Sequence, residues 1–429
     1  MRGVSPGRPL LSSHGWRLGL IGALYAWQGL VAGFAMTAVP NHFAALGASA
    51  AEVGAHLATV GLPWIVQPLW GPVVDRFGGM AMGRRRFWVV LAFLGSLLCL
   101  LRLLLVEDGA AGVLPAISAV FLVQGAFAAL ADTATDAMVI DRVPADRLGA
   151  ASAATRIGFV GGGAAGAVLF TWLLAEHGPR GATLVLLALG AAILLLPILV
   201  REREGDPLVS ARALPRSAVR AAPSATLREV AMLFASRSTL ALLAFCFALD
   251  AAAAAFAVPL GVDLIQSRGW TAEALSGVQA GAGMVAGTLG AVLVGWWTDR
   301  AGVRRSLAIL LGFCAAAHAG AGWLLGAEAP GLTRIAAPAA LVLSVTLPAL
   351  VFVALAPGVM RRSVGPLAAT RFALFMAALN MGSVAGAAAS ATIVSAIGLA
   401  ATGVATGVVF GLAALCAAAT PEEAPVQER

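Results

Sequence analysis

Charge is scarce in this 429-residue chain: 11% of its residues are charged, where a soluble domain carries about 25%. The shortage recurs along the whole length, while 60% of residues are hydrophobic and the mean hydropathy is +0.91. Most of the chain must therefore be solvated by lipid, which excludes a soluble globular protein. Lysine is missing altogether, so the formal charge of +7 rests on arginine alone. Without lysine there is no Walker A loop, because that loop needs a Lys to reach the nucleotide phosphates. Any work the chain does must draw on an ion gradient or run downhill. The arginines lie in short loops between apolar segments, a topology signal rather than a nucleic-acid face. Cysteine is rare too: Cys99, Cys246, Cys314 and Cys416 all fall in apolar segments without CxxC or metal spacing, as packed small hydrophobes do. His14, His42, His56, His177 and His318 are dispersed. With no HExxH and no GxSxG, an enzyme is not expected, nor a metal or cofactor site.

What is abundant is apolar runs long enough to cross a bilayer core of about 30 Å, which needs roughly 20 residues of helix. They fall at about 18–39, 53–74, 87–106, 113–135, 150–173 and 181–200. Six more fall at about 239–261, 274–297, 306–326, 335–357, 370–395 and 398–419. Backbone groups in lipid must satisfy one another, so these are helices. The first run, after Arg17, exceeds a signal-peptide core and is expected to be a retained helix. The whole is an all-α integral membrane protein of twelve transmembrane helices.

Arginine placement orients them. With the N-terminus inside, the cytoplasmic side collects Arg2, Arg8, Arg17, Arg76, Arg84, Arg85, Arg86, Arg142 and Arg147. It also takes the arginines from Arg201 to Arg237, then Arg300, Arg304, Arg305, Arg361 and Arg362, against Arg180, Arg268 and Arg334 opposite. Both termini are thus expected in the cytoplasm. The one long polar break, 201–237, divides the chain into residues 1–200 and 238–429 and is expected to be a solvated linker. A surface amphipathic helix over Thr226–Arg237 is the alternative.

The two parts repeat one another. Gly71-Pro-Val-Val-Asp75-Arg76-Phe-Gly78, with Gly83-Arg84-Arg85, matches Gly295-Trp-Trp-Thr-Asp299-Arg300-Ala-Gly302, with Arg304-Arg305. Four extra residues, Gly79 to Met82, interrupt the first copy. Ala153-Ala-Thr-Arg156 matches Ala368-Ala-Thr-Arg371. The doubled G-x-x-x-D-R-x-G resembles the cytoplasmic loop signature of the major facilitator superfamily. That resemblance implies two pseudo-symmetric six-helix halves with a solute site between them near mid-membrane. It makes Asp75, Arg76, Asp299 and Arg300 candidates for a cytoplasmic gate. Repeat symmetry would pair Arg156 with Asp299 and Arg371 with Asp75.

A narrower likeness lies in the fourth and fifth runs. Asp132-Thr-Ala-Thr-Asp136-Ala-Met-Val-Ile-Asp141-Arg-Val-Pro144, then Arg147-Leu-Gly-Ala and Arg156-Ile-Gly, is similar to AmpG-type muropeptide permeases and RhtX/FptX-type siderophore importers. A more distant likeness is to acetyl-CoA transporters. Trp70 to Arg76, Gly83 to Arg86, Asp250-Ala and Ala369 to Leu374 extend it. Muropeptide permeases of this type have longer chains with additional hydrophobic segments, so the siderophore branch is favoured.

Ionised groups at mid-bilayer cost about 2.5–3.5 kcal/mol each, so intramembrane carboxylates need a reason. Asp250 stands near the middle of the seventh run among Ala and Phe. A proton-coupling or substrate role is expected there, against a buried structural hydrogen bond. Asp132 and Asp136, about 40° apart on a helix, share a face, while Asp141 lies about 180° away. They form either a carboxylate pair at the inner end of the cavity or a gate network with Arg156. Gln28, Gln124 and Asn380 are uncharged mid-membrane candidates, with Tyr25 one turn from Gln28, and Trp64 and Gln67 on the second run. Aromatics plus amides suit an aryl or heterocyclic solute, and helix packing is the competing role. His318 is expected to pack and Arg102 to snorkel.

The expected function is proton-coupled import of a small organic solute, such as a metal-siderophore complex, across a bacterial inner membrane by a monomer. Muropeptide import and export by proton antiport are the alternatives.

Overall fold

The computed structural model describes residues 14–76, 80–106, 113–142, 148–203, 205–212, 236–327, 330–363 and 368–419. Among them, nine helices are long and apolar enough to cross a membrane. Two of these, Ala154–Leu199 and Leu374–Ala419, are 46 residues each, so a straight rod would run about 69 Å, more than twice the hydrocarbon thickness. Each carries one glycine outside helical geometry, Gly178 (φ 63°, ψ −178°) and Gly398 (φ 81°, ψ 161°). A positive φ is costly for any residue with a Cβ, and glycine supplies it freely.

The chain divides into two compact units, Met1–Met232 with Trp270–Ala280, and Leu233–Gly269 with Gly281–Arg429. The first begins with α1 (His14–Gly33), a π-turn (Phe34–Ala38) and α2 (Val39–Ala45). Then come α3 (Ala50–Val66), a 3-10 turn (Gln67–Leu69) and α4 (Trp70–Arg76). The sequence predicts one helix over 53–74. The break falls at Gln67-Pro68 because proline has no N–H to continue the ladder. Next are α5 (Arg86–Leu100), a 3-10 turn (Leu101–Leu105), α6 (Val113–Arg142) and α7 (Leu148–Leu199).

α1 lies against the first half of α7 at backbone distance. A Cβ on Gly162 would sit 2.1 Å from the Ala26 carbonyl, and one on Gly29 2.0 Å from that of Phe159. Small residues of this kind let helices associate in lipid, where no hydrophobic force distinguishes helix from solvent. Behind this seam lies a core of Leu24, Trp27, Phe93, Phe121, Phe170 and Leu174. His56 of α3 donates from Nε2 to the Ala35 carbonyl (2.7 Å), and its Nδ1 meets Ser118 Oγ of α6 (2.8 Å). Ala35 lies in the π-turn, where the widened ladder leaves carbonyls to seek other partners. Toward Ala45, Asn41 donates to Ser276 (2.8 Å) and Gln279 (2.8 Å), and Thr171 bonds Ser276 (2.8 Å).

The loop into α5 is built around Arg86, 2% exposed. Its guanidinium donates to the carbonyls of Pro197 (2.7 Å) and Ile198 (2.6 Å) at the end of α7, and to that of Leu208 (2.6 Å). Glu202 accepts from the backbone N–H of Arg85 (3.0 Å) and Arg86 (3.1 Å), an anion at a helix N-terminus. Gly83, at φ 123°, leaves room for Glu202, whose Oε2 a Cβ would meet at 2.6 Å. The start of the polar break, expected to be solvated, is thus held here: the Ala81 N–H also donates to the Arg212 carbonyl (2.9 Å).

The second unit contains α8 (Arg237–Gln266), the end of α9 (Ala272–Val285), a π-turn (Ala286–Gly290), α10 (Ala291–Ala301), α11 (Val303–Gly326), α12 (Pro330–Ser363) and α13 (Ala368–Ala419). It repeats the close seam: Cβ atoms on Gly382 and Gly386 of α13 would each lie 2.2 Å from α8 carbonyls, of Phe247 and Ala251. It also repeats the helix-end contact, since Arg304 at the start of α11 donates to the Ala418 carbonyl (2.6 and 3.0 Å). His318 packs, as expected, between Phe256 and Phe410, with ring centroids 5.9 and 5.0 Å away. Cys246 and Cys314 are buried.

Candidate functional site: a carboxylate pair and an aromatic cavity

Most of the expected site residues of the first unit come together on α1, α3 and α6. Asp132 and Asp136 stand one turn apart on α6. Tyr25 of α1 donates its hydroxyl to Asp136 Oδ1, and Gln67 donates its amide to Asp132 Oδ2 at 2.6 Å. Gln67 reaches α6 from the 3-10 turn that Pro68 enforces, so the kink in the second span positions a donor. Gln28 of α1 keeps its Nε2 buried without a hydrogen-bond partner. Among the described residues no arginine forms an ion pair with either carboxylate; the ion pair found there is Arg268–Asp263 (2.6 Å). Both carboxylates are therefore held by neutral donors. Arg156, the candidate partner of Asp136, is exposed on α7.

Beside this pair lies an apolar cavity of about 490 Å³ counting its open mouth. Gln28, Trp64 and Gln124, singled out from sequence, line it together with Trp27, Phe93 and Ser96. Gln124 donates to Ser96 Oγ (3.0 Å), and both are buried. Gln67 was only a neighbour of Trp64 in the sequence, and Ser96 carried no signal at all: a serine in an apolar run is common. Their roles emerge only from which helices pack.

In the second unit Asp250 is half-buried on α8 and faces a smaller cavity, about 260 Å³ with its mouth, lined by Leu249, Pro348, Val351, Phe352, Leu355, Leu379 and Phe410. None of those neighbours carries a polar side chain, and Asp250 has no hydrogen bond to described residues. Asn380 is half-buried on α13. Arg300 is exposed, its guanidinium 4.1 Å from the Trp296 ring centroid, a cation–π contact. The side chains of Asp75, Arg76, Asp141, Asp299 and Arg371 lie outside the described residues, and with them both cross-half gate pairs.

Helical spans bearing intramembrane carboxylates and a lined cavity define a multi-pass membrane transporter rather than an enzyme. The chain belongs to the Major Facilitator Superfamily, whose family profile matches residues 21–366. No curated protein matches the chain. Among solved structures it is similar to the nucleoside transporter NupG, at 13% identity and a TM-score of 0.64, over 95% of this chain and 100% of that one. A mutant of NupG gives 14%, 0.66, 94% and 98%. The D-xylose-proton symporter is similar at 13% identity and a TM-score of 0.68, over 94% of this chain and 97% of that one. At such identities the likeness is one of fold.

Proposed function

We propose that the chain is a secondary active importer that couples proton entry to the uptake of a small organic solute, such as a metal-siderophore complex, across a bacterial inner membrane. It crosses twelve times: the two 46-residue helices each make two passes, and Ala50–Arg76 adds one to the remaining seven. Its halves are residues 1–200 and 238–429, joined by a cytoplasmic linker, with both ends on the cytoplasmic side. The observation that carries the reading is the pair Asp132 and Asp136 on a spanning helix, held by Tyr25 and Gln67, with no arginine paired to either among the described residues. Two negative charges one turn apart in a low-dielectric setting repel and are poorly solvated. A proton relieves both costs, so such a pair loads and releases protons as its surroundings change. Asp250, facing an apolar pocket in the other half, is the second protonatable group and the one assigned to coupling. The fold likeness to a proton symporter supports the same class. The siderophore branch rests on the pattern from Asp132 to Arg156 and on the short linker.

Proteoliposomes with an acid exterior test this directly. Labelled ferric siderophore should accumulate inside above the equilibrium level, and a protonophore should abolish the excess. Accumulation that persists after the pH gradient is collapsed would contradict proton coupling. A gradient-driven uptake of muropeptide instead would move the solute assignment to the alternative branch.

A further inference from the structure

The cavity beside Asp132 has the makings of a ligand subsite that the carboxylates do not explain. It lies wholly within the first unit, and α5 contributes part of its wall through Phe93 and Ser96. No charged side chain among the described residues lines it, so a charged group would enter without a counter-ion, and burying one that way is prohibitive. Three aromatic side chains, Trp27, Trp64 and Phe93, are among its lining, and aromatic rings pair with other rings by offset or edge contacts. The polar lining is sparse. Gln124 spends its amide on Ser96. Gln28, only 6% exposed, has a buried amide nitrogen with no partner. A buried N–H without an acceptor is costly, and a lining that is mostly apolar gives a water too few partners to settle there. Apolar walls with a few placed polar groups are what small-molecule sites look like.

We infer that this cavity binds an uncharged aromatic ring of the transported solute, with a hydrogen-bond acceptor on the ring received by Gln28 Nε2. The inference rests on the proposed function and deepens it by naming the group of the solute that the first half recognises. The ring packs among Trp27, Trp64 and Phe93, and the Gln28 amide turns toward the acceptor.

Fluorine NMR titration of the full chain in nanodiscs tests it with small probes. 4-Fluorobenzamide has the ring and a neutral acceptor, fluorobenzene lacks the acceptor, and 4-fluorobenzoate adds a charge. 4-Fluorobenzamide should bind saturably, about tenfold more tightly than fluorobenzene, as one hydrogen bond in a buried site implies. 4-Fluorobenzoate should bind no better than fluorobenzene. Gln28→Leu should erase the preference for the benzamide while leaving fluorobenzene binding in place. Gln28→Asn, which keeps the amide but withdraws it by one methylene, should also reduce the preference and serves if the leucine variant does not fold. Ala128→Leu, which fills the cavity from α6, should weaken all three probes. The inference is overturned if no probe binds saturably, if the benzoate binds as well as the benzamide, or if both Gln28 variants keep the preference. Asp132→Asn separates the two claims: probe binding should persist while gradient-driven uptake is lost. Failure of uptake in the wild type with probe binding intact would sink the proton-coupled reading alone.

Discussion

The two halves repeat their packing but not their chemistry. In the first, Asp132 and Asp136 are each held by a neutral donor, Gln67 and Tyr25. In the second, Asp250 faces Leu, Val, Phe and Pro side chains. The glycine seams recur, α1 on α7 and α8 on α13, and so does an arginine at the end of the last helix of each half. Yet Arg86 is buried against several carbonyls, whereas Arg304 is exposed with Ala418 alone. What recurs is what a helix bundle in lipid needs, close backbone approach and covered helix ends. Polar side chains were free to diverge, so each half carries a different kind of carboxylate site.

If that contrast is functional, the largest effect falls on transport. Asp250→Asn should reduce gradient-driven accumulation of the solute to the equilibrium level while exchange of labelled for unlabelled solute continues. Undiminished accumulation would remove Asp250 from coupling. Next comes the arginine contrast, read by thermal unfolding in detergent. Arg86→Ala leaves the Pro197, Ile198 and Leu208 carbonyls and Glu202 without their buried cation and should cost about 3–5 kcal/mol. Arg304→Ala should cost less than about 1 kcal/mol. Equal losses would mean that burial is not what separates the two loops.

The seams should respond alike. Gly162→Ala and Gly386→Ala each place a Cβ about 2 Å from a facing carbonyl and should each cost about 1–3 kcal/mol by overpacking. A large difference between them would break the packing symmetry.

The smallest effect is at the start of α3, whose capping box is reduced at the start of α9 to Thr271 accepting from the Ala274 N–H (3.1 Å). Ser49 and Glu52 form the α3 box, with both the Ser49 backbone N–H and hydroxyl donating to the Glu52 carboxylate at 2.8 Å. Those bonds hold the Glu52 carboxyl below its ordinary value of 4.5. Its contribution is therefore complete above that value and is lost as pH falls toward the depressed folded one. The melting-temperature difference between wild type and Glu52→Gln should shrink between pH 7 and about pH 3. Ser49→Ala should cost about 1 kcal/mol at neutral pH.

Much of this architecture was legible in the sequence, for a physical reason: lipid demands about 20 apolar residues per pass, and few other patterns satisfy it. The breaks at Gly178 and before Gly398 fell between apolar runs. The 3-10 turn at Gln67–Leu69 and the π-turns at Phe34–Ala38 and Ala286–Gly290 did not show, since they leave hydropathy unchanged. At the site, the shared face of Asp132 and Asp136 followed from helix geometry. Their partners did not, because Tyr25 and Gln67 are distant in sequence and reach α6 only through tertiary packing. Arg86 reads as a topology marker in the sequence, and its carbonyl partners at 197–208 lie more than a hundred residues away.

The central claim is that carboxylates inside the membrane load protons, and infrared difference spectroscopy tests it without knowledge of the solute. Acidifying the reconstituted wild type should raise a protonated-carboxyl band shielded from solvent exchange. Asp132→Asn and Asp250→Asn should each remove a separate component of it. A spectrum unchanged by both substitutions would contradict the claim.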